Sequence, residues 1–151
     1  MAESVRLYDV IKESFLLLDF GDRLFLAGFG LTVSRYYVLA HVAREPGLSP
    51  SSLSRYMFCD KSNITRLVHG LQDNGLIDQQ PHERDGRTHR LFLTASGATL
   101  YGQASRAHRR YIEVRLQVAE VYRTEQLIDT LAHLNRSLTE ALDNIPELPP
   151  I

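Results

Sequence analysis

The sequence predicts a mainly α-helical chain with one small β-hairpin: a winged helix-turn-helix core with further helices before and after it. Three observations predict this. Two short helical segments meet at a tight corner between Ser49 and Asn74. A polar, arginine-bearing stretch at 82–89 returns into the apolar run Leu91-Phe92-Leu93. The last third carries apolar residues at alternating spacings of four and three.

From about Ser4 to Phe20, Leu7, Tyr8, Ile11, Phe15 and Leu18 have helical spacing. The run Phe15-Leu16-Leu17-Leu18 makes that helix apolar nearly all round, the pattern of a helix buried on several sides. Gly21, Gly28 and Gly30 then loosen the chain. Thr32 suits the N-cap of a second helix ending near Arg44, with Tyr36, Leu39, Ala40 and Ala43 facing inward and Glu45-Pro46-Gly47 stopping it. Ser49 caps a short third helix with Pro50 in its first turn and Leu53 and Met57 buried.

Asp60 caps a fourth helix from Lys61 to about Asn74, in which Ile64, Leu67, Val68 and Leu71 form one apolar stripe. At about 100° per residue, Ser62, Arg66, His69 and Asp73 lie opposite that stripe, flanked by Asn63 and Thr65. Asn74-Gly75 ends the helix. Leu76–Pro81 reads as a strand, 82–89 as a loop and Arg90–Leu93 as the returning strand, after which Thr94 caps a long helix. Leu100, Ala104, Ala107, Tyr111, Val114, Val118 and Val121 form a seam on that helix. Leu127, Leu131, Leu134, Leu138, Ala141 and Ile145 form another on the next, both spaced as in a coiled coil.

At 151 residues and 44% hydrophobic, the chain suits one domain, 1–151, with the winged core at 31–97 and helical flanks at 1–30 and 98–151. The net charge of −1 gives no bulk argument for nucleic acid, so any DNA-binding surface has to be a local concentration of charge. From Ser49 to Gln72 the bases Arg55, Lys61 and Arg66 face Asp60 alone, and Thr124 onward is acidic. A lone cysteine, Cys59, excludes an intrachain disulfide framework. His41, His69, His82, His89, His108 and His133 form no zinc spacing, and there is no Gly-x-Ser-x-Gly elbow and no phosphate-cradling glycine loop. No enzyme, metal or cofactor is therefore expected. Apolar runs are far too short to span a membrane and no signal pattern opens the chain, so a soluble cytoplasmic protein is expected.

A helix that reads the major groove needs one buried face and one face of polar side chains for bases and phosphates. Lys61, Ser62, Asn63, Thr65, Arg66 and His69 supply that face. Asn and Arg are able to make bidentate base contacts, while Ser, Thr and Lys suit phosphates. The hairpin adds Arg84 and Arg87, arginine being favoured by the negative potential of the minor groove. Asp85 is placed to brace an arginine by a salt bridge, and Arg87 at the tip is the stronger groove contact.

On these residues the chain resembles the MarR (multiple antibiotic resistance regulator) family. The family's wing signature, Asp-x-Arg, five residues, then Leu-Thr-x-x-Gly, reads here as Asp85, Arg87, Leu93, Thr94 and Gly97. The stretch Asp60–Val68, then Leu71 and Asn74-Gly75-Leu76-Ile77, also matches, as does Leu31-Thr32 with Val38-Leu39. Arg35 replaces a frequent glutamine and Asn63 a common threonine. The resemblance implies a regulator of transcription. It implies that the first helix and the last two are dimerisation helices, intertwined in a two-fold homodimer that acts as a repressor on a pseudo-palindromic double-stranded DNA operator. It further implies release by a small aromatic or phenolic ligand, with Phe15, Phe25, Phe29, Tyr36, Tyr37 and His41 as candidate lining residues, although aromatic clusters commonly form core. Arg35 is weighed as a partner for a ligand carboxylate against a plain surface role. Cys59 is weighed as a thiol sensor, with the helix N-terminus and Lys61 favouring thiolate and Asp60 opposing it; a simple buried cysteine is the expectation. Two alternatives stay open: a winged helix used for protein contact, and a DNA-binding regulator without an effector.

Overall fold

The computed structural model describes residues 2–82, 85–117 and 124–142, with side chains at 82–88 left undescribed. It contains helices α1 (Ala2–Ala27), α2 (Val33–Arg44), α3 (Pro50–Tyr56), α4 (Lys61–Asp73), α5 (Ala95–Leu116) and α6 (Thr124–Leu142), and strands β1 (Ile77–His82) and β2 (Asp85–Leu93). Two compact units divide the chain, residues 1–109 and 110–151.

Three of the helix starts obey one local rule: an oxygen-bearing side chain accepts an otherwise unpaired first-turn N–H. Thr32 accepts from the Arg35 N–H on α2 (3.2 Å), Ser49 from Ser52 on α3 (3.1 Å) and Asp60 from Asn63 on α4 (2.8 Å). The core of the first unit joins Leu26 of α1, Tyr36, Val38, Leu39 and Val42 of α2, Leu53 of α3, Ile64, Val68 and Leu71 of α4, Ile77 of β1, Leu91 of β2 and Ala104 of α5. The inward face of α2 therefore differs from the one read from spacing. Val38 and Val42 are fully buried while Ala40 and Ala43 are only half-buried, because α2 is enclosed on two sides.

The hairpin is longer than expected. β1 and β2 pair antiparallel from Ile77↔Leu93 to Pro81↔His89, and after a register shift His82 pairs with Asp85. Most of the segment read as loop is thus strand, because backbone pairing continues into polar sequence that carries no apolar alternation. A bridge unseen in the sequence joins Leu48 to Leu91: the Leu91 N–H donates to the Leu48 carbonyl (3.0 Å) and the Gly47 N–H to the Leu91 carbonyl (2.8 Å). It ties the α2–α3 connection to the wing.

α1 runs through Gly21 instead of loosening there. Its C-terminal end reaches the core, whereas Phe15, Leu17 and Leu24 are 56%, 62% and 65% exposed within the single chain. An all-round apolar pattern specifies that a helix needs cover; it does not specify which chain supplies it. On α5, the buried positions are Gly97, Ala104 and His108: Ala104 lies on the seam read from spacing, while His108 is buried in place of its neighbour Ala107, which is half-buried. Val114, Leu127, Leu131 and Leu138 of the two seams are exposed, and Val118, Val121 and Ile145 lie outside the described residues. Among the described residues no helix is long and apolar enough to cross a membrane.

The α4–β1 turn and the start of α5 meet at Thr94. Its hydroxyl donates to the Gly75 carbonyl (2.6 Å) and accepts the Gly97 N–H (3.0 Å), and its own N–H donates to the Leu76 carbonyl (3.1 Å). A Cβ on Gly97 would stand 1.9 Å from the Leu76 carbonyl oxygen, so only glycine permits this approach. Gly97→Ala is expected to destabilise the protein by about 3 kcal/mol in urea titration, since backbone must move to admit the methyl. Gly102→Ala on the same helix meets only the Arg106 Nη1 at 3.5 Å. It is expected to be neutral or to stabilise by up to about 1 kcal/mol.

Candidate nucleic-acid interface

α4 divides cleanly. Ile64, Val68 and Leu71 are buried, and Lys61, Ser62, Thr65, Arg66 and His69 are exposed, with Asn63 half-buried between the faces. The exposed residues do not form a set of independent side chains. Arg66 donates through Nη2 to the Asn63 Oδ1 (2.8 Å), which joins the two side chains while leaving the Asn63 amide nitrogen and the other guanidinium nitrogens as further donors. Thr65 donates its hydroxyl back to the Lys61 carbonyl (2.8 Å), presenting its methyl instead. Ser62 donates to the Asp60 carboxylate. These bonds hold the side chains in place before any ligand arrives, which lowers the ordering cost of binding.

At the start of α4, unpaired N–H groups and the helix dipole give positive potential, partly offset by Asp60. The Ser62 hydroxyl and the Asn63 N–H, both bonded to the Asp60 carboxylate, hold its pKa below the ordinary 3.8. α3 packs against α4, and its exposed Arg55 donates to the Ser52 hydroxyl one turn back on the same helix (3.3 Å), a cation to which the sequence assigned charge but no role. Arg35 reaches the other end of α4. A Cβ on Gly70 would lie 2.7 Å from the Arg35 Nη2, so the guanidinium lies over the bare backbone of α4. Arg84 lies outside the described residues, as do the side chains of Asp85 and Arg87, while the β2 backbone that carries Asp85 and Arg87 is in place.

Residues 29–88 match the MarR family. A protein of Thauera aromatica, named for transcriptional regulation of the hcr operon, is 32% identical over 121 residues, covering 78% of this chain and 71% of its own length. The chain belongs to the MarR family. It is accordingly a DNA-binding transcription regulator, of a family whose members are not enzymes. The fold agrees with two solved structures. BldR of Sulfolobus solfataricus has a TM-score of 0.79 at 21% identity, over 89% of this chain and 96% of that one. A mutant of MarR from Escherichia coli in complex with operator DNA has a TM-score of 0.76 at 19% identity, over 90% and 95%.

In this MarR-family chain the six aromatic candidates separate. Phe15 is exposed on α1, with the Lys12 ammonium 5.7 Å from its ring centroid. Phe25, Phe29 and Tyr36 belong to a packed cluster. Phe25 lies 5.7 Å from both Phe29 and His108, and Tyr36 meets His108 edge-on at 5.1 Å. His108, 4% exposed, bonds through Nε2 to the Asp22 carboxylate at 3.0 Å. Sequence reading missed this residue; the signal was its place four residues after Ala104. Burial, then the neighbouring Tyr101, Tyr37 and Asp22, push the Tyr36 hydroxyl up to about 12, so it is un-ionised.

Tyr37 and His41, by contrast, line a recess of about 500 Å³ with Ala40, Ala43, Arg44 and Tyr101. The Arg44 Nη2 lies 3.0 Å from the His41 Nδ1, and since a guanidinium only donates, Nδ1 accepts and the ring proton is on Nε2. Burial first, and Arg44 second, lower the His41 pKa, so the ring is neutral at pH 7. His41 also stacks on Tyr56 of α3 at 5.5 Å, and Tyr56 donates to Glu45 (3.2 Å). The recess thus abuts the helix that braces α4. Among the described residues no group of three metal-ligating side chains exists.

A pH titration tests the α4 cap. The folded-state pKa of Asp60 is depressed, so its contribution to stability is present above 3.8 and is lost as pH falls through the lower folded value. The Asn63 amide resonance is expected to titrate with a midpoint below 3.8 and to show no such step in Asp60→Asn.

Proposed function

We propose that two copies of this chain bind a pseudo-palindromic operator and repress transcription, and that a small aromatic or phenolic ligand releases them. The observation that carries the DNA reading is the face of α4: Lys61, Ser62, Asn63, Thr65, Arg66 and His69 set outward by the buried stripe opposite them, with Asn63 and Arg66 already joined. Arg84 and Arg87 extend it through the wing, with Asp85 as the brace of Arg87. An operator overlapping a promoter would make occupancy repressive.

The apolar surface supports the dimer. Val5, Leu7, Tyr8, Phe15, Leu16, Leu17 and Phe20 on α1, Ile112, Val114 and Leu116 on α5, and Leu127, Ile128, Leu131, Leu138 and Leu142 on α6 are all at least 38% exposed. That is more apolar surface than a soluble monomer leaves in water; with a second copy covering it, two-fold symmetry would set the two α4 helices about one DNA turn, ~34 Å, apart on a pseudo-palindrome. The recess supports the ligand. Tyr37, Tyr101 and His41 offer ring faces, Ala40 and Ala43 leave room, and Arg44 suits an anionic substituent.

Gel-shift titration on the gene's own upstream region tests the DNA reading. Arg66→Ala is expected to weaken binding about tenfold and to flatten the slope of log affinity against log salt by about 2 for a dimer. Arg87→Ala is expected to act in the same direction. Wild-type protein that shows no competitor-resistant binding would instead favour a protein-contact module. A sedimentation experiment at micromolar concentration is expected to give a dimer. Salicylate-like acids at a hundredfold excess over Kd are expected to raise the melting temperature by several degrees, an effect lost in Arg44→Ala. A flat melting temperature would leave a DNA-binding regulator without this effector class.

A further inference from the structure

The corner between α3 and α4 holds a residue that is expensive to keep. Phe58 has φ +49°, the one non-glycine residue with positive φ among the described residues. For an aromatic L-residue this left-handed conformation is unfavourable, and glycine or asparagine occupies it far more readily. The corner is firmly set. Phe58 donates its N–H to the Arg55 carbonyl (3.3 Å), Cys59 its N–H to the Ser54 carbonyl (3.2 Å), and the Ser54 hydroxyl donates back to the Cys59 carbonyl (2.5 Å). Met57 and Cys59 on either side turn in and pack on the core, which forces Phe58 outward to 75% exposure. The ring therefore stabilises little within its own chain while the backbone beneath it is strained. Strain of this kind is retained where the side chain has work outside the fold.

Its position points to that work. Phe58 is three residues before Lys61, so its Cα lies at most about 11 Å from the first residue of the reading face. The first two residues of α4, Lys61 and Ser62, which follow shortly after it in the chain, are exposed at a positive helix end. We propose that Phe58 is a DNA-contacting side chain, its ring packing on thymine methyls at the edge of the base pairs that α4 faces. Phenylalanine is one of the side chains suited to that apolar group in the major groove. The contact extends operator reading beyond the polar face of α4 and rests on the DNA reading above.

The experiment compares wild type, Phe58→Gly and Phe58→Leu on one duplex, the gene's upstream region amplified with dTTP or with dUTP. Competitor-resistant binding by wild type comes first, so a failure of the DNA reading is seen separately. Phe58→Gly is expected to melt about 2 °C or more above wild type, because the strain is relieved. It is expected to bind the dTTP duplex about tenfold more weakly, with the salt slope unchanged because no phosphate contact is lost. Phe58→Leu keeps an apolar side chain and is expected to bind within about threefold of wild type. On the dUTP duplex, which lacks the methyl groups, the gap between wild type and Phe58→Gly is expected to close. Equal binding of wild type and Phe58→Gly overturns the proposal, as does a gap that persists on the dUTP duplex or a lower melting temperature for Phe58→Gly.

Discussion

Thr94 fixes the relation of α4, the hairpin and α5, and the reading surface depends on it. One hydroxyl bridges the Gly75 carbonyl at the end of α4 and the Gly97 N–H at the start of α5. The Thr94 N–H meets the Leu76 carbonyl just before β1. Gly97 lets the backbones touch, since any side chain there would collide with Leu76. Three elements thus leave one point in set directions. The wing signature recognised in the sequence is in part the requirement of this junction, to which Thr94 and Gly97 contribute.

Around that point the core of the first unit is continuous from Leu26 to Ala104, and polar work is confined to its outside. α4 is held by its stripe, capped by Asp60 and overlaid by Arg35 at Gly70. The Leu48–Leu91 bridge carries the wing back to the α2–α3 connection, next to the His41, Arg44 and Tyr56 group that borders the recess. The recess side chain His41 stacks on Tyr56 of α3, and α3 joins α4 through the Phe58 corner, so the recess and the reading helix are linked by one run of packed residues.

Much of the fold was legible in the sequence because it is decided within a few residues. Caps at Thr32, Ser49 and Asp60 are local oxygen-to-amide bonds, and the Ile64–Leu71 stripe is a matter of helix period. The hairpin length was misjudged because pairing through polar residues leaves no apolar alternation. On α5 the buried Ala104 followed from the spacing, but the seam continues from it to Ala107 whereas burial continues one residue further on, to His108, which packs against Asp22. On the interface, the outward residues of α4 were legible from the same period. The bond between Arg66 and Asn63, the bond of Arg55 to Ser52 and the outward Phe58 were not.

By itself the sequence determined which segments are helical, which face of α4 is polar and which family the wing belongs to, since all three follow from short-range periodicity, caps and motif spacing. Tertiary structure decided that Gly97 must lack a side chain, that His108 is buried against Asp22, that Tyr37 and His41 line a recess while Tyr36 and Phe25 pack inside, and that Phe58 is held strained and outward. The reason is physical: each of these depends on where a residue distant in the chain, or the far end of a turn, comes to rest, and no local pattern of amino acids encodes that position.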